Sequence, residues 1–315
     1  MFIANSVWLL VACSALLLGP SVPGKPHQPS PARPGVLLLA HGGNPQWNEN
    51  VRALAARVDR AQPTEVAFGM ATRANIQTAV NALTARGVTD IVAVPLFVSS
   101  HSSVVTSTQY LLGLRAEAPP DLAMFAKMSH GSGTGASGHD HHAADPADAT
   151  LPVQSSIPIR MSSALDAHPI VAAILADRAR AISTDPAREA VILVAHGPVN
   201  DVENQRWLDN MAVLADGIAK DRAYASIDWM TVRDDAPAAI RDAATAELRA
   251  LVEKRRDAGS RVLIVPLLLS FGGIEQGIRK RLDGLDYVMA PQAIMPDDRL
   301  VDWITTQLAK CPCEG

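Results

Sequence analysis

Aromatic residues make up only 4% of the 315-residue chain, too few for a surface built to stack successive bases. Charge of one sign is also missing. The 28 lysines and arginines face 32 aspartates and glutamates, a formal net charge of −4, so no global basic field attracts nucleic acid. Cysteine is nearly absent: Cys13 lies in an N-terminal apolar stretch, and Cys311 and Cys313 form a C-P-C tail. Three cysteines make no disulfide framework. No apolar run reaches the roughly 18 residues of a membrane span. There is no H-E-x-x-H, no pair of C-x-x-C motifs, no G-x-S-x-G and no phosphate-binding P-loop. Their absence removes the common zinc-protease, zinc-ribbon, serine-hydrolase and nucleotide-hydrolase readings.

Apolar residues are plentiful, at 48%, and the length predicts two domains with ample core. Residues 1–24 contain "VWLLVACSALLLG", an apolar stretch of signal-peptide length, and residues 25–34 are a Pro-rich linker. This start predicts export, and a cytoplasmic location if the stretch is not a signal.

The rest of the chain reads as one plan written twice. "GVLLLAHGGN" opens the first copy and "AVILVAHGPVN" the second. Each is a buried strand running into a histidine and a glycine, His41-Gly42 and His196-Gly197. A helix follows with one apolar face, Val51, Leu54, Ala55 and Val58 in the first copy and Trp207, Met211, Leu214 and Ile218 in the second. Then come a second strand ("EVAFGMA", "SIDWMTV"), a second helix closed by Gly87 or Gly259, and a third strand ("DIVAVPLFVSSHSS", "RVLIVPLLLSFGG"). Each copy ends in a strand, a turn and an amphipathic helix. From His41 to Pro95 is 54 residues and from His196 to Pro266 is 70, so the second copy is 16 longer between these landmarks.

Strands that alternate with helices predict an α/β fold with mostly parallel sheets covered on both faces. The first lobe spans 35–186 and the second 187–310. A Gly/Ser/Asp-rich insertion at 127–156 carries His139, His141 and His142, which suit loose binding of a divalent metal or a solvated loop of no fixed role. In parallel sheets ligands gather at the carboxyl ends of strands, which is where His41, His101 and His196 fall. A neutral imidazole there can ligate a first-row metal or accept a proton near neutral pH.

"LLLAHGGNPQWNENVRALAARV" and "EVAFGMATRANIQTAVNALTARGVTDIVAVPLFVSS", in this order, resemble the class II chelatases, in particular the sirohydrochlorin cobaltochelatase/ferrochelatase family of cobalamin and sirohaem synthesis. The resemblance covers most of Gly35 to Leu308, apart from the His-rich insertion. It implies two chelatase-like lobes facing a cleft, within one duplicated chain acting as a monomer. It implies insertion of Co²⁺, Fe²⁺ or Ni²⁺ into a tetrapyrrole, with the ion as substrate and no organic cofactor, nucleic acid or spanning membrane segment involved. His41 and His101 are then the catalytic and metal-binding pair, with His196 a further candidate ligand. Ser99, Ser100, Ser102 and Arg73 become candidates to bind the ring's carboxylates. Two departures stand out. Met70 occupies the exit of the second strand, where relatives often carry an acid, and Gly272-Gly273 replace the second copy's counterpart of His101, with Glu275 close by. The alternative reading is an exported metal or tetrapyrrole carrier that uses the same cleft without turnover.

Overall fold

A computed structural model describes residues 32–131 and 148–309, leaving out side chains at 128–131. The expected signal stretch, His139, His141, His142 and the C-P-C tail lie outside the described residues. The described residues form one compact unit. No described helix is long and apolar enough to cross a membrane.

The first lobe runs β1 (Pro34–Ala40), α1 (Pro45–Asp59), β2 (Thr64–Phe68), α2 (Arg73–Ala85), β3 (Asp90–Pro95), α3 (Ser103–Leu111), α4 (Leu122–Gly131), β4 (Ile159–Met161) and α5 (Pro169–Ile182). The second runs β5 (Glu189–Ala195), α6 (Asp201–Asp221), β6 (Ser226–Thr231), α7 (Ala238–Asp257), β7 (Arg261–Leu267), α8 (Ile274–Arg281), β8 (Val288–Met289) and α9 (Arg299–Ala309). Each lobe has a four-stranded, all-parallel sheet, in the orders β2-β1-β3-β4 and β6-β5-β7-β8. The two central strands of each sheet are apolar on both faces, as the continuous hydrophobic runs predict.

In both orders the chain leaves the first strand toward one edge and then crosses back to its other side. The switch point therefore lies between β1 and β3, and between β5 and β7. There adjacent connections part and leave a crevice at the strands' carboxyl ends. His41 follows β1, His101 follows β3, and His196 follows β5.

Alternate residues of one strand serve different cores. Leu37, Leu39, Ile91 and Ala93 pack outward with α2. Val36, Leu38, Val92 and Val94 face inward, onto a layer of four helices (α1, α5, α6 and α9) that lies between the two sheets and is shared by both lobes. The closing helices cross over: α5 of the first lobe packs on α6 and β7, and α9 of the second packs on α1 and β3. Arg178 on α5 donates to the carbonyls of Ala293, Ile294 and Pro296, and Arg299 pairs with Asp177 at 2.7 Å. The lobes thus exchange their last helices.

One buried charge anchors the second lobe. Glu189, 1% exposed at the start of β5, accepts hydrogen bonds from the Ser183 hydroxyl, the Thr184 amide and hydroxyl, and Arg261. Burial opposes its charge, but those donors outweigh burial and hold its carboxyl at about 2. A folded-state value below the usual 4.5 means stability that is present above pH 4.5 and is lost as pH falls toward 2. Glu189→Gln should cost about 2–3 kcal/mol at pH 7. In urea titrations the gap from wild type should close between pH 4.5 and 2.

Candidate functional site

The segment "HGGN" is shaped by three local demands. Gly42 adopts φ +82°, the left-handed region that glycine tolerates. A side chain at Gly43 would meet the Trp47 ring at 2.9 Å. Asn44 caps α1, its side chain accepting from the Trp47 amide at 2.8 Å. The loop turns tightly and lays the His41 imidazole on Trp47, ring centroids 4.3 Å apart, with Phe97 at 6.2 Å.

His41 is reached by solvent yet has protein on most sides. Burial pushes its imidazole below the ordinary 6.5, the Gly42 carbonyl opposes this, and charge on His196 pushes the same way as burial. His41 is therefore neutral near pH 7. Its Nδ1 donates to the Gly42 carbonyl, which leaves the Nε2 lone pair available to a ligand.

His101 sits on the loop between β3 and α3, and both lobes hold it. Within the first lobe, Ser99 Oγ accepts from the His101 amide at 3.1 Å. Ser100 donates its amide and hydroxyl to Asp166, at 2.7 and 2.6 Å, and accepts from the Ala164 amide. Ser102 caps α3. From the second lobe, Trp207 Nε1 donates to the His101 carbonyl at 2.9 Å, and Arg206 lies 3.3 Å from His101 Nδ1. The three serines expected on substrate thus build the loop that carries His101. Arg73 donates to the carbonyls of Leu151 and Pro152, fastening the return of the insertion.

His196 ends β5 as His41 ends β1. Gly197 at φ +75° packs against Thr231, which a Cβ would meet at 2.5 Å. His196 Nε2 lies 3.2 Å from the Asp235 carboxylate, which the imidazole holds below its usual range. The second lobe's histidine therefore has a partner, although Gly272-Gly273 stand in place of a second imidazole. Glu275 accepts from the amides of Gly272 and Gly273 and closes that turn. Asp235, Arg206 and Trp207 are contributors that the sequence reading missed. The doublet Asp234-Asp235 follows β6, the exit at which Met70 follows β2, so comparing the two exits would have found it. Among the described residues no group of three His, Cys, Asp or Glu side chains is placed to hold a metal ion.

Residues 35–182 match the CbiX family model. No curated protein sequence matches the chain. Among solved structures, the chain is similar to SirB from Bacillus subtilis with Fe³⁺, at 15% identity and a TM-score of 0.58, over 88% of this chain and 94% of that one. It is also similar to the sirohydrochlorin chelatase SirB from Bacillus subtilis subspecies spizizenii in complex with cobalt, at 12% identity and a TM-score of 0.54, with the same coverage. At these identities the structural likeness speaks for the fold, and the family match speaks for the first lobe. The first lobe, residues 35–182, thus matches the CbiX family, and the fold of the chain is similar to that of the two SirB structures.

Proposed function

We propose that the chain is a tetrapyrrole metallochelatase that inserts a divalent ion, Co²⁺, Fe²⁺ or Ni²⁺, into a polycarboxylate free-base ring of the sirohydrochlorin type. The single observation that carries this reading is His41: a neutral imidazole at the carboxyl end of β1, with its Nδ1 engaged and its Nε2 open. Metallation exchanges one M²⁺ for two pyrrole protons, so the site must lend an ion and take up protons. His41 holds the ion through Nε2, with His101 as the second imidazole of the first lobe.

In the second lobe, His196 presents Nε2 to Asp235, leaving Nδ1 to accept a pyrrole proton while the carboxylate stabilises the resulting imidazolium. A site with two imidazoles of its own keeps coordination positions open for ring nitrogens. Such a loosely held ion favours transfer over storage, which is the reason to prefer an enzyme to a carrier.

The test uses the full chain at catalytic concentration with sirohydrochlorin and Co²⁺ under anaerobic conditions, following loss of the free-base absorption band. The expected result is many turnovers per protein. A single stoichiometric uptake followed by slow release would replace the enzyme with a carrier.

A further inference from the structure

Arg206 reaches from the second lobe to the first lobe's histidine. A guanidinium only donates hydrogen bonds, so His101 Nδ1, 3.3 Å from Arg206 Nη1, is the acceptor. That contact fixes the neutral ring with its proton on Nε2 and covers its one lone pair with a cation. His41 is the reverse case, its Nδ1 donating to a carbonyl and its Nε2 uncovered. Of the first lobe's two rim imidazoles, one is ready for a metal and the other is masked.

Arg206 is exposed, and among the described residues no carboxylate lies within ion-pair distance of it. Glu203 lies one turn back on α6; burial and the nearby Asp121 push its carboxyl above the ordinary value, while His101 and Arg206 pull it down. The corresponding place on α1, also six residues past the cap, is Asn50, whose amide donates to Ser270 Oγ at 3.1 Å. One fold position thus holds a neutral lock, Asn50 on Ser270, in one copy and a cation outside ion-pair distance of any described carboxylate in the other.

The geometry points to Arg206 as a switch worked by an anionic ligand: a ring carboxylate entering the cleft draws the guanidinium off His101 and frees Nδ1. The driving force is the exchange of a bond to a neutral imidazole for a stronger one to a carboxylate. The inference rests on the chelatase reading, since it takes the polycarboxylate ring as the anion. Its consequence is an order of events. In the empty cleft the metal meets His41 alone, and His101 joins only when the ring is present. The ion is not trapped between two imidazoles before its acceptor arrives.

The test measures the His101 ring nitrogens by long-range ¹H–¹⁵N correlation in the ¹⁵N-labelled full chain, assigned with His101→Gln. Uroporphyrin, a metal-free polycarboxylate tetrapyrrole, serves as the probe. Wild type alone should show the Nε2-protonated tautomer. Both Arg206→Ala alone and wild type saturated with uroporphyrin should shift toward a mixture of tautomers. Arg206→Ala should also bind uroporphyrin about tenfold more weakly and bind Co²⁺ more tightly than wild type when no ring is present. A His101 signature that is equal in wild type and Arg206→Ala overturns the masking. One that stays put while uroporphyrin saturates wild type overturns the switch. If wild type binds no uroporphyrin, the chelatase reading and the anion-worked step fall together, and the Arg206→Ala spectrum still decides the masking by itself.

Discussion

His41→Ala should lower the metallation rate by about 10²–10³-fold, the range for losing a group that takes part directly in ion or proton transfer. Uroporphyrin binding should change by less than about threefold, because a neutral imidazole forms no ion pair with the ring's carboxylates. The argument rests on what His41 alone offers. Its Nε2 is the uncovered lone pair of the first lobe, while His101 Nδ1 lies under Arg206. The change should also spare the fold, since the His41 ring is solvent-exposed and Trp47 stays seated against Gly43. The pH profile gives an independent check. Only the neutral imidazole binds metal, and burial depresses the His41 value below 6.5. The acid limb of kcat/KM should therefore lie below the ordinary histidine range, with activity present above it and lost as pH falls through it. A wild-type acid limb at or above 6.5, or a His41→Ala protein that keeps more than a tenth of the rate, would remove His41 from the ion's path.

Much of this site was legible in the sequence, because its first-lobe parts are local. The strand that ends in "HGGN" carries its own explanation: a positive φ at Gly42, a close approach at Gly43 and a cap at Asn44. The repeat shows that His196 stands where His41 stands, and the strand order then places both at the crevice. What escaped is everything carried by pairing across the chain. Trp207 fits the apolar stripe of α6 and reads as core. In the structure it is half-buried and spends its indole N–H on the His101 carbonyl, 106 residues away. Arg206 beside it reads as an ordinary exposed charge. Asp235 lies in a loop whose length differs between the two copies, which hid its correspondence with the β2 exit. The serines around His101 looked like substrate contacts because hydroxyls suit carboxylates, yet hydroxyls equally suit the turns and caps of a tight loop. The exchange of α5 and α9 was beyond reach for a similar reason. An amphipathic helix states which face it buries, but not in which lobe.

That exchange carries the second large effect. Gly217→Leu on α6 should destabilise the protein by about 3 kcal/mol, at the upper end of overpacking costs. A Cβ at Gly217 would lie 2.6 Å from the Ala172 Cβ on α5, a separation that real side chains do not adopt. A glycine inside a helix costs about 1 kcal/mol relative to alanine, and here it is what lets two helices from different lobes meet. Gly217→Ala gains that propensity but meets the same clash, so it should still lower the urea midpoint, by less than leucine does. The pair Ala172→Gly with Gly217→Ala moves the methyl group from one helix to the other. It should recover most of the loss, which is the coupling expected of two positions in direct contact. Function should follow stability in this series, because α6 carries both Arg206 and Trp207 to the His101 loop. A wedge at Gly217 that tilts α6 away from α5 should slow metallation even where urea shows the protein folded. The double variant should regain rate and midpoint together. Recovery of the midpoint without the rate would mean that the seating of α6 does not govern His101.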